Sequence, residues 1–360
     1  MVNIHGNLRV YSSRLVGRKE LVRPADPKSL LEAGQVQEQA EKLVEWWTGK
    51  KSVLCITGAG LSTESGIPDY RGHQGSYHKG HKPMIHQQFM DSEYQRRRYW
   101  GRSLAGWKTF DSTQPNKGHF ALAALERMGR IGVALEDQEA FYEPADAFEF
   151  GFTSGQRQLA VVTQNVDALH QKAGSKEVMQ LHGAGNLIRC MNCGTKQHRN
   201  EYHSKLLSVN QEWLNEALKG YEQSSDLRPD GDAKIKEDNY DDVDVPNCHH
   251  CDEGFFKPDV VFFGDSVPKS RVRLFEEAVK AADGLLVVGT SLAVHSAYRH
   301  VRAANSLGIS TAIVNVGETR AEAEGLENIL KIEAPAGDTL SFCVEAFENE
   351  SNAMNSSVAQ

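Results

Sequence analysis

The sequence predicts an α/β protein: a doubly wound, Rossmann-like parallel sheet that carries a smaller inserted zinc-binding module and a helical segment. Three observations predict it. Short apolar runs recur at 53–56, 159–163, 285–288 and 311–314, and each passes directly into glycine or small polar residues. Such uninterrupted runs suit strands buried on both faces, and ligands of open α/β sheets bind beyond the strands' C-terminal ends. Second, a glycine-rich stretch opens at Thr57, immediately after the first run. Third, two C-x-x-C pairs, Cys190/Cys193 and Cys248/Cys251, lie between the second and third runs.

Residues 1–34 form an N-terminal extension. Arg9, Arg14, Arg18 and Lys19 precede the first acid, Glu20, a composition that fits a mitochondrial targeting segment and equally a plain basic terminus. Pro24 and Pro27 mark a linker. Apolar residues then recur at Val36, Ala40, Leu43, Val44 and Trp47, a helical stripe stopped by Gly49. Helix, strand and glycine loop in that order open a doubly wound sheet.

In the loop, Gly58 and Gly60 allow a tight turn and close approach of a ligand. A helix starting near Ser62 would aim free N–H groups at phosphate. Gly58, Ala59, Gly60, Ser62, Thr63 and Glu64 are therefore candidate nucleotide contacts. Thr63 stands where a dehydrogenase fingerprint has its third glycine, and the loop lacks a Walker-type Gly-Lys-Ser/Thr. Pro68, Asp69, Tyr70 and Arg71 come next: a fixed φ, a carboxylate, an aromatic face and a guanidinium, suited to cover a dinucleotide lying on the preceding loop.

The run from Thr57 to Gly72 resembles the signature of the sirtuins, NAD-dependent protein-lysine deacylases. The resemblance covers roughly 35–347, read as the catalytic domain, with 186–256 as the inserted zinc-binding module. It is strongest toward the class II, mitochondrial sirtuin-four type, on 62–71, Tyr99 to Arg102, Gln164 to His170 and Lys257 to Asp265. It implies that NAD is consumed as a co-substrate and that the partners are acyl-lysine proteins or peptides. The acyl oxygen attacks C1′ of the nicotinamide ribose and nicotinamide leaves. A base then takes a ribose hydroxyl proton, and water completes transfer of the acyl group to ADP-ribose.

Residues 73–118 read as helices and loops beside the crevice. Tyr99 and Arg102, three apart, share a helix face. By the resemblance they line the acyl pocket, where the arginine can hold a terminal carboxylate, which implies an acyl group larger or more acidic than acetyl. The competing reading is an ordinary amphipathic helix with Arg96 to Arg98 solvated. A helix is expected over 121–128, then an acidic surface insertion over 134–158.

Gln164, Asn165, Val166 and Asp167 come directly after the second strand. The resemblance assigns them to nicotinamide and its ribose, with Asn165 and Asp167 catalytic; capping of a helix by Asn165 or Asp167 is compatible with that. His182, in a Leu-His-Gly context, is the implied base, since imidazole titrates near neutrality. The cysteine knuckles supply four thiolates, a closed tetrahedral Zn²⁺ site with a structural role. Their spacing exceeds the usual ribbon, with a helix expected around 213–218 and an acidic stretch over 226–244. His249 and His250 are competing ligands, and a redox disulfide is the other reading.

Val261, Phe263 and Gly264 lie in 257–265, read as an apolar strand ending in a turn, which in the family pairs with the substrate peptide's backbone. Gly289, Thr290 and Ser291, and Asn315, Val316 and Gly317, end the third and fourth strands, and the resemblance assigns them to phosphate, ribose and adenine. Ala336 stands where the family often has a cysteine near the adenine. Residues 348–360 read as a disordered tail.

A net charge of −8 and a pI near 6.0 imply no general nucleic-acid affinity, and no apolar run reaches the length of a membrane span. Six cysteines that include two C-x-x-C pairs favour a metal over disulfides. The mitochondrial matrix is the expected location, with cytoplasm or nucleus as alternatives. Protein mono-ADP-ribosyl transfer from the same site, or a weakly active NAD-binding scaffold, are the alternative functions.

Overall fold

The computed structural model describes residues 33–72, 75–135, 158–219, 227–233, 235 and 239–358. The basic N-terminal stretch to residue 32, read as a targeting segment or a plain basic terminus, most of the first acidic insertion and parts of the second lie outside the described residues. The chain enters through helix α1 (Ala33–Trp47), whose apolar stripe is the one read from the sequence, and Gly49 comes after it with φ 80°. Strands β1 (Val53–Thr57), β4 (Val161–Thr163), β5 (Val178–Gln180), β9 (Gly284–Val288), β10 (Ser310–Val314) and β11 (Ile329–Ile332) form one parallel sheet in the order β11-β10-β9-β1-β4-β5. Cys55 sits opposite Val161 on one side and Leu286 on the other.

Alternate residues of these strands feed two separate cores. Val53, Cys55, Leu286 and Val288 pack against α1, α4 (Lys117–Arg127) and the last helix α11 (Ala336–Val358). Leu54, Ile56, Leu285 and Val287 pack against α8 (Lys269–Ala281) and α9 (His295–Ser306). Each fully buried Leu, Ile or Val contributes about 1.5–3 kcal/mol, so the two-faced burial explains why these strands carry no polar face. The strand order reverses between β1 and β9, and the loops leaving both ends open the crevice there.

The inserted module is a three-stranded antiparallel sheet in the order β7-β6-β8, of β6 (Gly183–Cys190), β7 (Lys196–His198) and β8 (Phe256–Val260). With α6 (Arg199–Val209), α7 (Gln211–Ala217) and the long α3 (Glu93–Ser112) it encloses a third core that includes Tyr99, Trp100, Ile188, Tyr202 and Phe256. The short α2 (His86–Asp91) contributes Phe89 to the same core.

Four sequence expectations need correction. The glycine loop continues into a 3₁₀ helix over Ala59–Ser65, not an α-helix from Ser62; Gly66, at φ 88°, ends it after seven residues. The run 159–163 is split: β3 (Gln158–Leu159) pairs antiparallel with β2 (Val133–Ala134), and only Val161–Thr163 enters the main sheet. The segment 257–265 is a regular strand only to Val260. The tail expected from 348 onward is instead the end of α11, which runs to Val358 with solvent-exposed side chains over 348–356.

Candidate active site

The crevice is built by close backbone approach. Gly60 N–H donates to Gly289 O at 2.8 Å and Gly58 N–H to Val288 O at 3.2 Å, which ties the loop after β1 to the loop after β9. A Cβ on Gly60 would stand 2.8 Å from Gly289 O, and one on Gly58 would stand 2.6 Å from Thr290 Cβ. Only glycine permits this packing. The Gln164 side chain bridges the same two loops, donating to Thr57 O at 3.2 Å and Thr290 Oγ1 at 3.0 Å.

Ser62 joins the polar residues beyond β4. Its hydroxyl donates to Asp167 Oδ2 at 2.7 Å and accepts from Asn165 Nδ2 at 3.1 Å, and Asn165 also donates to Gly58 O at 3.1 Å. All three side chains are buried. Burial raises the Asp167 carboxyl, opposed by its hydrogen bonds from Leu169 N–H and Ser62. Asp167 Oδ1 accepts from Leu169 N–H at 3.0 Å at the start of α5 (Leu169–Lys172), but the residue in the N-cap position is Ala168, so neither Asn165 nor Asp167 is the N-cap. Val166 is buried beside them and accepts from Gly185 N–H at 2.9 Å.

His182 lies between β5 and β6, hung from the same polar run. Its Nδ1 is 3.1 Å from Gln164 O, and its Nε2 is 2.8 Å from Ser296 Oγ on the first turn of α9. A carbonyl only accepts, so Nδ1 carries the proton and Nε2 accepts from the Ser296 hydroxyl. Burial pushes the imidazole down to about 4; the Gln164 carbonyl opposes this and the Arg271 cation adds to it. The ring is thus neutral at physiological pH, with its lone pair on Nε2. Ser296 carries no signal in the sequence, where a serine shortly after a Gly-Thr-Ser turn has no distinguishing pattern.

The covering segment folds back over this floor. Asp69 accepts from Gly72 N–H at 3.0 Å, and its carboxyl is raised by burial. Tyr70 stacks obliquely on Tyr77 at 5.4 Å and meets the Phe263 ring edge at 6.4 Å, while Arg71 lies over Tyr77 at 5.1 Å. Pro68 is partly exposed before them. Thr63, whose hydroxyl donates to Gly60 O at 2.8 Å, and Glu64 are exposed at the rim; Ala59 is partly exposed. Ala336 opens α11 next to Glu64: a Cβ on the neighbouring Gly337 would stand 2.4 Å from the Glu64 carboxylate. On the far side of the crevice, Asn315 donates to Val316 O and Gly317 O at 3.0 Å, and Gly317 N–H donates to Glu333 at 2.6 Å. Ser291 O accepts at 2.9 Å from the N–H of Arg320, the first residue of the short α10 (Arg320–Ala323).

Two groups differ from expectation. Val261 N–H donates to His182 O at 2.8 Å, but Phe263 O accepts from His86 N–H at 2.9 Å and Gly264 O from Gln87 at 3.3 Å. This edge is therefore already shared with residues 85–87, which form a parallel bridge at Ile85 and Phe263. Arg102, read as the holder of a substrate carboxylate, stands 2.8 Å from the buried Asp232 of its own chain. Tyr99 beside it is buried against Phe262 at 5.4 Å, its hydroxyl pushed up to about 12 by burial. Arg96 is not a solvated charge: it bonds the carbonyls of Phe89 and Met90 and lies over Phe255 at 4.2 Å.

Cys190, Cys193, Cys248 and Cys251 converge, with all four Sγ atoms within 4.8 Å of one another. Cys190–Cys251 and Cys193–Cys248 are 3.7 and 3.8 Å apart. A tetrahedron with Zn–S bonds of about 2.3 Å has edges of about 3.8 Å, so the thiolates fit Zn²⁺. Sulfur atoms at this separation are too far apart for a disulfide, and His249 and His250 are not part of the group.

A profile of the Sir2 family matches residues 58–139 and 136–296. The chain is 41% identical over 307 residues to the NAD-dependent protein deacylase Sirt4 of Drosophila melanogaster, covering 85% of this chain and 86% of that protein. It is 38% identical over 347 residues to the NAD-dependent protein deacylase SRT2 of Arabidopsis thaliana, covering 93% and 82%. To the human mitochondrial NAD-dependent protein lipoamidase sirtuin-4 it is 38% identical over 287 residues, covering 79% and 80%. Among solved structures, a Sir2 enzyme with p53 peptide and NAD⁺ superposes with a TM-score of 0.59 at 25% identity, over 86% of this chain and 98% of that one. The crevice, the four-thiolate centre and these likenesses agree: the chain belongs to the Sir2 family, the sirtuins.

Proposed function

We propose that this crevice consumes NAD to remove acyl groups from lysine side chains of proteins, yielding nicotinamide, O-acyl-ADP-ribose and free lysine. The observation that carries the reading is the single run 164–167, which suspends a neutral histidine through Gln164 O and ties Asn165 and Asp167 to the nucleotide loop through Ser62. An acyl transfer to a ribose hydroxyl needs that combination: fixed polar groups for the sugar and a neutral base.

NAD supplies the ribose carbon that the acyl oxygen attacks and the hydroxyl that receives the acyl group. The chain's residues do the rest. The paired loops of Gly58 and Gly60 accept the pyrophosphate, with Gly289, Thr290, Ser291, Asn315, Val316, Gly317 and the Ala336 backbone lining the adenosine side. Asn165 and Asp167 orient the nicotinamide ribose. Asp69, Tyr70 and Arg71 close over the nicotinamide and exclude water. His182 takes the hydroxyl proton on Nε2, displacing Ser296. The target peptide lies along 261–264, sharing that edge with 85–87, and its acyl chain runs toward Tyr99. The four cysteines hold Zn²⁺ away from the reacting atoms, and the mitochondrial matrix is the proposed location.

Mass spectrometry of the protein incubated with NAD and acyl-lysine peptides tests this. Nicotinamide and O-acyl-ADP-ribose are expected, and His182→Ala should abolish O-acyl-ADP-ribose and limit nicotinamide to at most one release per active site. ADP-ribose attached to protein, with no acyl transfer, would replace this reading by mono-ADP-ribosyl transfer.

A further inference from the structure

We infer that Asp232, carried on the loop between the two cysteine knuckles, occupies at Arg102 the place of a substrate carboxylate, so that the acyl pocket selects uncharged chains over acid-terminated ones. The inference rests on the acyl pocket proposed above and names the substrate class it admits.

Arg102 and Asp232 form an ion pair at 2.8 Å with each side chain only 9% exposed. The contact is built into both backbones. Arg102 Nε donates to Ala233 O at 3.3 Å, and Ala233 N–H donates to Arg102 O at 3.3 Å. Gly106, one turn further along α3, faces the loop: a Cβ there would stand 2.5 Å from Gly231 O. Gly231 itself has φ 78° and lies against the Phe110 ring, where a Cβ would come within 2.9 Å. A glycine on the helix and a glycine on the loop thus let the two backbones meet, and that approach delivers Asp232 to the guanidinium.

The surrounding charges are mixed. Burial pushes the Asp232 carboxyl up to about 7 and Asp230 adds to this, while Arg102, Arg228 and Arg98 oppose it, so at pH 8 the acid is ionised beside Arg102. Arg228 bonds the His81 ring and Arg98 bonds Gln95 at 3.2 Å. A carboxylate brought to Arg102 would find the guanidinium already paired with Asp232 and would compete with Asp230 and Asp232 for the arginines around them. An uncharged acyl chain meets no such penalty.

The test uses the full-length, zinc-loaded protein at pH 8 and peptides in matched pairs, glutaryl- against pentanoyl-lysine and succinyl- against butyryl-lysine. Both kcat/KM and peptide affinity are measured, so that the ratio of acidic to neutral acyl is the readout. In the wild type each acidic member should be at least about tenfold poorer than its neutral match, the size of one charge-assisted contact withheld. Asp232→Asn, which keeps the shape, should raise the ratio about tenfold, and adding Arg102→Gln should remove that gain. A wild type that favours the acidic peptides, or an unchanged ratio in folded Asp232→Asn protein, overturns the inference. Affinity ratios that move as expected, in a protein that never releases nicotinamide, would support it and sink only the deacylase reading.

Discussion

Ser62 holds the two polar residues proposed to orient the ribose, because its hydroxyl both donates to Asp167 and accepts from Asn165. Ser62→Ala leaves the buried Asp167 Oδ2 without its donor and Asn165 Nδ2 with only Gly58 O, a cost of about 1–3 kcal/mol. A lower melting temperature and a raised KM for NAD are the expected results, checked by thermal unfolding and steady-state kinetics. Ser296 acts on His182 in a different way. By donating to Nε2 it favours the neutral ring, as burial does. Removing it in Ser296→Ala should raise the histidine's value from about 4 and move the acid limb of the kcat/KM profile to higher pH, with Ser296→Thr restoring it. A limb that stays in place would show that the hydroxyl has no part in tuning the base.

The glycine loop and the loop after β9 behave as one element. Gly60→Ala forces a methyl to 2.8 Å from Gly289 O, a backbone atom with little room to yield. Overpacking of this kind costs about 1–3 kcal/mol, and since the displaced backbone is the proposed phosphate cradle, NAD affinity should fall as well. Calorimetric titration with NAD against a denaturation curve separates the two effects. The module's sheet β7-β6-β8 depends on another local device. Its cysteines sit where β6 ends and just before β8 begins, so the metal closes the sheet at that end. Chelation of zinc should loosen the module first, seen as faster hydrogen exchange across 186–198 and 248–260 before the main sheet exchanges.

Across the whole molecule, buried neutral histidines set the response to acid. His170 lies under the main sheet's ligand end, bonded to Thr57 at 2.9 Å, with His119 at 5.1 Å ring to ring. Burial lowers both, His119 to about 4. In the unfolded chain they titrate near the ordinary 6.5. The unfolded state therefore binds more protons below that value, and stability is lost as pH falls from 6.5 toward about 4, by about 3 kcal/mol for His119. Urea midpoints measured from pH 7 to 4.5 should fall, and His119→Asn should flatten the decline.

Much of this molecule is legible in one dimension because the signals are local. Helical periodicity at Val36 to Trp47, uninterrupted apolar runs, glycines directly after a strand, and paired C-x-x-C knuckles each report on neighbouring residues' geometry, which short-range sterics and burial decide. Those determined the doubly wound sheet, the candidate zinc ligands and the list of residues at the strand ends. The short strands β5 and β11 stay hidden in the sequence, since three or four residues carry too little pattern. The partners of side chains stay hidden as well. Nothing around Arg102 shows that Asp232 will stand against it, and nothing around His182 points to Ser296. A residue's own chemistry is written in its identity, but whether its charge or lone pair is already satisfied depends on what the fold brings across from it, and for these two only the tertiary structure decided.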